Sequence, residues 1–152
     1  MPVIKTILVL SALLACCLIA ACGPELTQEQ VRQAYADAEQ MFREGDIDQL
    51  RALFWPDAQI QMVNNGVAES YPVEDYLELN RRGMLLLDQY SISSTIDEVV
   101  INGSQATVRS TVQESGVLLG RPVRTRTQQT MLLSVRRGEL RIESVRGVIE
   151  SQ

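Results

Sequence analysis

Histidine is absent from this chain of 152 residues, and lysine occurs once, at Lys5. The first absence removes the commonest general base and the commonest metal ligand. Cysteine occurs three times, at Cys16, Cys17 and Cys22, and nowhere later in the chain. No downstream thiol is available for a zinc site, a disulfide or a Cys–His pair, and Ser–His nucleophiles go with the histidine. Neither a glycine-rich phosphate loop nor calcium-loop spacing is present. No metal and no cofactor is expected. Aromatic residues make up only 5% of the chain, with Trp55 the single tryptophan.

Beyond Lys5 every positive charge is an arginine, 13 of them against 19 acids. The charges are segregated. Residues 25–98 hold 15 acids and five arginines, whereas residues 99–152 hold four acids and eight arginines. Two readings fit: solvated faces of one domain, or an arginine-lined surface for an anionic ligand, headgroup or acidic partner. Overall acidity and the lack of an RNA- or DNA-reading motif argue against nucleic-acid binding.

The first 22 residues carry an address. Lys5 precedes an apolar run from Thr6 to Ala21, which ends in Ile19-Ala20-Ala21-Cys22. A charged start, an apolar stretch and small residues before a cut describe a secretory signal. A cysteine just after the cut resembles the lipobox of bacterial lipoproteins. The run is short for a spanning helix, which needs about 20 residues, and Gly23-Pro24 follows at once. A second match, Leu13-Leu14-Ala15-Cys16, offers an earlier cut, but the longer apolar core and the Gly-Pro tether favour Cys22. The expected organisation is a signal peptide over 1–21, a lipidated tether over 22–26 and one domain over 27–150. Cys16 and Cys17 then leave with the signal, and the domain holds together by its core alone. The resemblance places the protein in the bacterial cell envelope, attached to a membrane by lipid on Cys22. Gly23 in place of an aspartate favours the outer membrane, facing the periplasm.

Thr27 with Gln30 spells a capping box, and Val31, Tyr35, Ala38 and Met41/Phe42 follow at helical spacing until Gly45. Asp46 with Gln49 opens a short second helix, broken at Trp55-Pro56-Asp57. One short strand, 58–63, runs to the turn Asn64-Asn65-Gly66. Ser70 and Glu74 frame a third helix with Pro72 in its first turn, extending to about Asp88, with Tyr76, Leu77, Met84 and Leu87 inward. From Tyr90 the period becomes two. Strands are predicted over 90–101, from Ala106 to Val112, over 123–136 and after Arg137-Gly138, with a loop carrying Gly116 and Gly120 between the second and third. Three helices ahead of long antiparallel strands make an α+β layer fold, with helices covering one face of a curved sheet.

That order, with Glu44-Gly45-Asp46 running through Leu53-Phe54 to Asp57-Ala58 and the final hairpin around Arg137-Gly138, resembles the NTF2-like superfamily, the SnoaL-like and ketosteroid-isomerase-like cone. The resemblance covers residues 27–149. It implies three N-terminal helices packed on a strongly curved, mostly antiparallel sheet, and it leaves function open among isomerases, cyclases, adaptors and assembly domains. The isomerases of this family keep a base aspartate, a tyrosine and a protonated aspartate, which fall here at Met62, Ala38 and Met131. A thioether neither takes a proton from carbon nor donates to an oxyanion, so that chemistry is not expected.

The candidate pocket residues are Trp55, Met62, Tyr76, Gln129 and Met131. The methionines suit an adaptable apolar pocket or simple core filling, and Gln129 suits orientation of a ligand or a bond to a loop carbonyl. Asp57 is a turn cap or an acid; Glu114 and Arg146 point inward or into solvent. Arg124, Arg126, Arg136 and Arg141 mark the outer sheet face, through which a homodimer is expected. Leu118-Leu119 is an apolar tip or folds over the sheet edge. The function expected is a non-catalytic, membrane-anchored module that binds a small apolar ligand or a protein partner. The alternatives are a SnoaL-like enzyme with a non-standard site, using Asp57 or Glu114, and a structural subunit with a filled cone.

Overall fold

The computed structural model describes residues 25–151. The signal, the cut and Cys22 lie outside the described residues. Three helices, α1 (Gln28–Glu44), α2 (Ile47–Ala52) and α3 (Val73–Leu86), pack on the inner face of one six-stranded sheet. Its strands are β1 (Phe54–Asn64), β2 (Val67–Tyr71), β3 (Asp88–Asn102), β4 (Gln105–Leu118), β5 (Arg121–Arg136) and β6 (Glu139–Ser151). The order across the sheet is β2-β1-β6-β5-β4-β3, with β1 parallel to β6 and every other pair antiparallel. The curved sheet does not close, so the molecule is an NTF2-like cone, α+β as the sequence implied.

Local chemistry sets the helix ends. Thr27 Oγ1 accepts from the Gln30 amide at 3.2 Å while Gln30 Oε1 accepts from the Thr27 amide at 2.9 Å, the reciprocal capping box. Gly45 sits at φ +69°, and its amide donates to Met41 and Phe42 carbonyls, closing α1 in a left-handed cap that glycine adopts without a Cβ clash. Asp46 caps α2 through the Gln49 amide at 3.1 Å. At the start of α3 the sequence expectation fails. Pro72 is the N-cap, no side chain caps the helix, and Ser70 lies in β2.

Three further corrections concern the sheet. Trp55-Pro56-Asp57, which read as a break after the second helix, belongs to β1 with Phe54, and the pairing with β6 skips from Phe54 to Gln59. That irregularity accommodates Pro56, which has no amide to give to a ladder. The turn at Asn65-Gly66, both at positive φ, returns the chain as β2, a strand the sequence reading omitted. Gly116 is not in a loop but inside β4, which turns into β5 over two residues, Leu119 and Gly120. A Cβ at Gly116 would stand 3.1 Å from Leu87 Cβ, so the glycine lets β4 pass beneath the end of α3.

Period-two alternation puts Ala106, Val108 and Ser110 of β4 and Thr127, Met131 and Leu133 of β5 on the inner face. The core fills one end of the cone. Leu50, Ile60, Leu77, Val31 and Val108 are at most 1% exposed there, with Phe54, Leu133 and Ile142 around them. A hydrogen bond donated by the Ile142 amide to the Leu53 carbonyl, 2.8 Å, ties the end of α2 to β6. No helix among the described residues is long and apolar enough to cross a membrane.

Candidate functional site

Away from the packed end, the helices and the inner sheet face diverge around a cavity of about 310 Å³. That lies at the lower end of the usual ligand-pocket range. The helix α1 contributes Tyr35, Ala38, Glu39 and Phe42, and α3 contributes Tyr76, Asn80 and Met84 among others. The sheet register arranges its floor in rows. Met131 sits lowest, buried and opposite Val108. The next row runs Glu69, Met62, Gly147, Gln129 and Ser110 across five strands. Above it stand Asn64, Ile149, Thr127 and Val112, and one step further from the core Glu114 faces Thr125.

Gly147 is glycine because Met62 occupies its side-chain space. A Cβ there would meet the Met62 methyl at 2.7 Å and its sulfur at 3.0 Å. Deeper in the wall, the Tyr35 hydroxyl donates to Ser110 Oγ at 2.8 Å, joining α1 to the centre of β4.

Four of the five candidates from the sequence meet at this cavity: Met62, Tyr76, Gln129 and Met131. Trp55 does not. It stands at an odd position of β1, whose even positions Phe54, Ala58, Ile60 and Met62 face inward, and its indole Nε1 donates to Ser134 Oγ at 3.0 Å on the other side of the sheet. There the guanidinium carbons of Arg136 and Arg141 lie 4.9 and 5.0 Å from its ring centre. Asp57 goes with it, paired to Arg136 at 2.8 Å, and is removed from any role as a cavity acid. Glu114 faces the cavity, and Arg146 is exposed on the opposite face. Leu119 is 93% exposed at its turn, so the Leu118-Leu119 tip does not fold over the sheet edge.

Ala38, Met62 and Met131, where the resemblance put a tyrosine and two acids, do surround one space, but other polar groups share it. The Tyr90 hydroxyl donates to Glu114 at 2.7 Å, and the Thr125 hydroxyl approaches the other carboxylate oxygen at 3.5 Å. Tyr71 donates to Glu69, and Ser94 to Glu39. Burial pushes the Tyr76 phenol up to about 12, with the charge of Glu114 adding to it. Burial, then Glu114, raise Tyr90 well above the ordinary phenol value. Tyr71 is raised by its bond to Glu69. These three phenols are therefore neutral at physiological pH. They donate and accept hydrogen bonds, while the carboxyl groups offer acceptor oxygens to a donor or a cation. Among the described residues no group of three His, Cys, Asp or Glu side chains stands close enough to hold a metal.

Sequence reasoning singled out Tyr76 but missed Glu39, Glu69 and the other three tyrosines as site residues. Tyr35 reads from sequence as one more apolar position of a helix, and Tyr90 as the start of a strand. Only the register of β4 against β5 and the fold of α1 over β3 bring them to one wall.

Among solved structures the chain is similar to a ketosteroid isomerase-like protein from Erwinia carotovora atroseptica, at 18% identity and TM-score 0.66, covering 84% of this chain and all of that one. It is also similar to an NTF2-like protein with a cystatin-like fold from Novosphingobium aromaticivorans, at 15% identity and TM-score 0.66, with 80% of each chain covered. A hexachlorocyclohexane dehydrochlorinase from Novosphingobium barchaimii aligns at 16% identity and TM-score 0.66, over 80% of this chain and 86% of that one. Identities this low establish the fold alone. No curated protein matches the sequence significantly. A family model described as "Putative lumazine-binding" matches residues 27–117, from the cap of α1 to the end of β4. With that match over more than half its length and this architecture, the chain belongs to the family so described, within the NTF2-like fold.

Proposed function

We propose that this protein is a small-ligand-binding module tethered to the bacterial envelope by lipid on Cys22. The observation that carries the ligand half is the cavity, walled by Met62, Met131 and the chain's four tyrosines and left open where a filled cone would have none. Room for a ligand disfavours the purely structural alternative. The family description, which names lumazine, is in keeping with a compact guest. Support for the tether half comes from Lys5, the apolar run and Ile19-Ala20-Ala21-Cys22. Thr27 lies five residues after Cys22, at most ~18 Å of extended chain, which keeps the domain near its membrane. Because the helices occupy only the inner face, the outer sheet face is where a second copy docks in this reading.

The test compares native with denaturing mass spectra of the protein gently extracted from its own envelope. A lipid mass on Cys22 and a small mass lost only on denaturation are expected. An uncut chain with bare Cys22 overturns the anchor. A mature chain with the same mass in both spectra, and no binding from a library of compact aromatic compounds, overturns the ligand module. Sedimentation of the same sample reads the expected dimer.

A further inference from the structure

The cavity wall is one-sided in charge. Glu39, Glu69 and Glu114 line it, and no arginine does. Glu39 is compensated by Arg43 at 2.5 Å. The remaining ion pairs among the described residues engage Asp48, Asp57, Glu74, Glu78, Glu98, Glu139 and Glu143, so neither Glu69 nor Glu114 has a cationic partner there. Hydroxyls from Tyr90 and Thr125 fill lone pairs of Glu114, but neither brings a positive charge. Glu114 is partly buried, and a cation entering beside a partly buried carboxyl group that lacks a counter-charge is favoured over an anion.

Aromatic placement points the same way. The chain has seven aromatic side chains, and five of them, Tyr35, Phe42, Tyr71, Tyr76 and Tyr90, line this one cavity. The two others are Phe54 in the packed core and Trp55 on the outer face. A ring presents a negative face, and a cage of rings with a nearby carboxylate is the arrangement that recognises ammonium groups. An anion entering the same space meets two uncompensated carboxylates and no donor of positive charge.

We propose that the ligand of this cavity is an organic cation, a compact apolar body carrying a protonated amine or quaternary ammonium group, with its charge directed to Glu114 between Tyr76 and Tyr90. The floor of Met62 and Met131 takes the apolar body. This rests on the small-ligand reading of the cavity, and one experiment separates the two. Three probes share one ring system: 2-naphthylmethylamine, 2-naphthylmethanol and 2-naphthoate. Each is titrated calorimetrically into the purified full-length mature chain at pH 7.

The amine is expected to bind about tenfold more tightly than the alcohol, the scale of one charge-assisted contact beside aromatic rings, and the carboxylate is expected not to saturate. In Glu114→Gln the amine–alcohol ratio falls to near one, and circular dichroism and the melting temperature report that the variant is folded. An alcohol or carboxylate that binds as tightly as the amine overturns the cation and leaves the cavity reading standing. Binding of none of the three overturns both. An unchanged ratio in folded Glu114→Gln overturns the assignment to that residue. Should Glu114→Gln not fold, the wild-type series decides by itself.

Discussion

The hydrogen bond from Tyr35 to Ser110 joins a helix to the middle of the sheet at the cavity wall, and its removal has a calculable consequence. Tyr35 is 6% exposed, Ser110 is 2% exposed, and the oxygens are 2.8 Å apart. Tyr35→Phe keeps the ring and strips the donor, so Ser110 Oγ loses its partner across the interface. A net hydrogen bond contributes about 1 kcal/mol, and a buried hydroxyl left unpaired adds about 1 kcal/mol more. The expected loss is about 2 kcal/mol, or roughly 6–10 °C in Tm for a domain of this size. Ser110→Ala should cost less, about 1 kcal/mol, because the freed Tyr35 hydroxyl borders the cavity and is rehydrated there. The double variant should then lose no more than Tyr35→Phe alone, a coupling of about 1 kcal/mol. Urea unfolding of all four proteins, with m unchanged, measures the cycle. Single losses that simply add, with coupling under about 0.3 kcal/mol, would refute the argument that these two groups act on each other.

Trp55→Phe should destabilise the fold by about 1–2 kcal/mol through the lost bond to Ser134 and the weakened arginine stack, yet leave naphthylmethylamine affinity within about twofold; a large change in affinity would return Trp55 to the site. Gly147→Ala forces the Met62 thioether toward the cavity and should cost about 1–3 kcal/mol by overpacking, with weaker ligand binding by calorimetry. Arg81 and Arg82 hold the Glu78 carboxyl at about 2, below its ordinary 4.5. Its contribution is therefore present above pH 4.5 and disappears as the pH falls through about 2. The Tm gap between wild type and Glu78→Gln should shrink over that window and also shrink in high salt, since the pair is exposed.

How much of the cone is legible beforehand depends on the range of the interactions concerned. Thr27, Gln30, Gly45 and Asp46 announce their helix ends because a cap is a contact within four residues. The alternation through β4 and β5 is equally local. Pro72 and Gly116 mislead for the opposite reason. Pro72 looks like a first-turn residue but serves as the cap itself, and Gly116 looks like a turn but answers to Leu87, far away in sequence. Trp55 shows the same limit: it reads as part of a helix break, and only its place in β1, one residue after the buried Phe54, turns it to the outer face.

The sequence alone determined the α+β order, the capped helices, the two-residue periodicity of the sheet and the expectation of an anchor at Cys22, all of which arise from patterns a few residues long. Met62, Gln129 and Met131 were placed beforehand only through the resemblance to a family whose sheet is already known. Tertiary structure decided the rest. It brought Glu69 and Glu114 to opposite sides of one space and gathered all four tyrosines from three helical or strand segments and a short hairpin. It also sent Asp57 outward to Arg136. Charge and aromaticity at the site are sums over residues as far apart in the sequence as Tyr35 and Glu114. No local pattern encodes such a sum, because it exists only once the register of the sheet has been set.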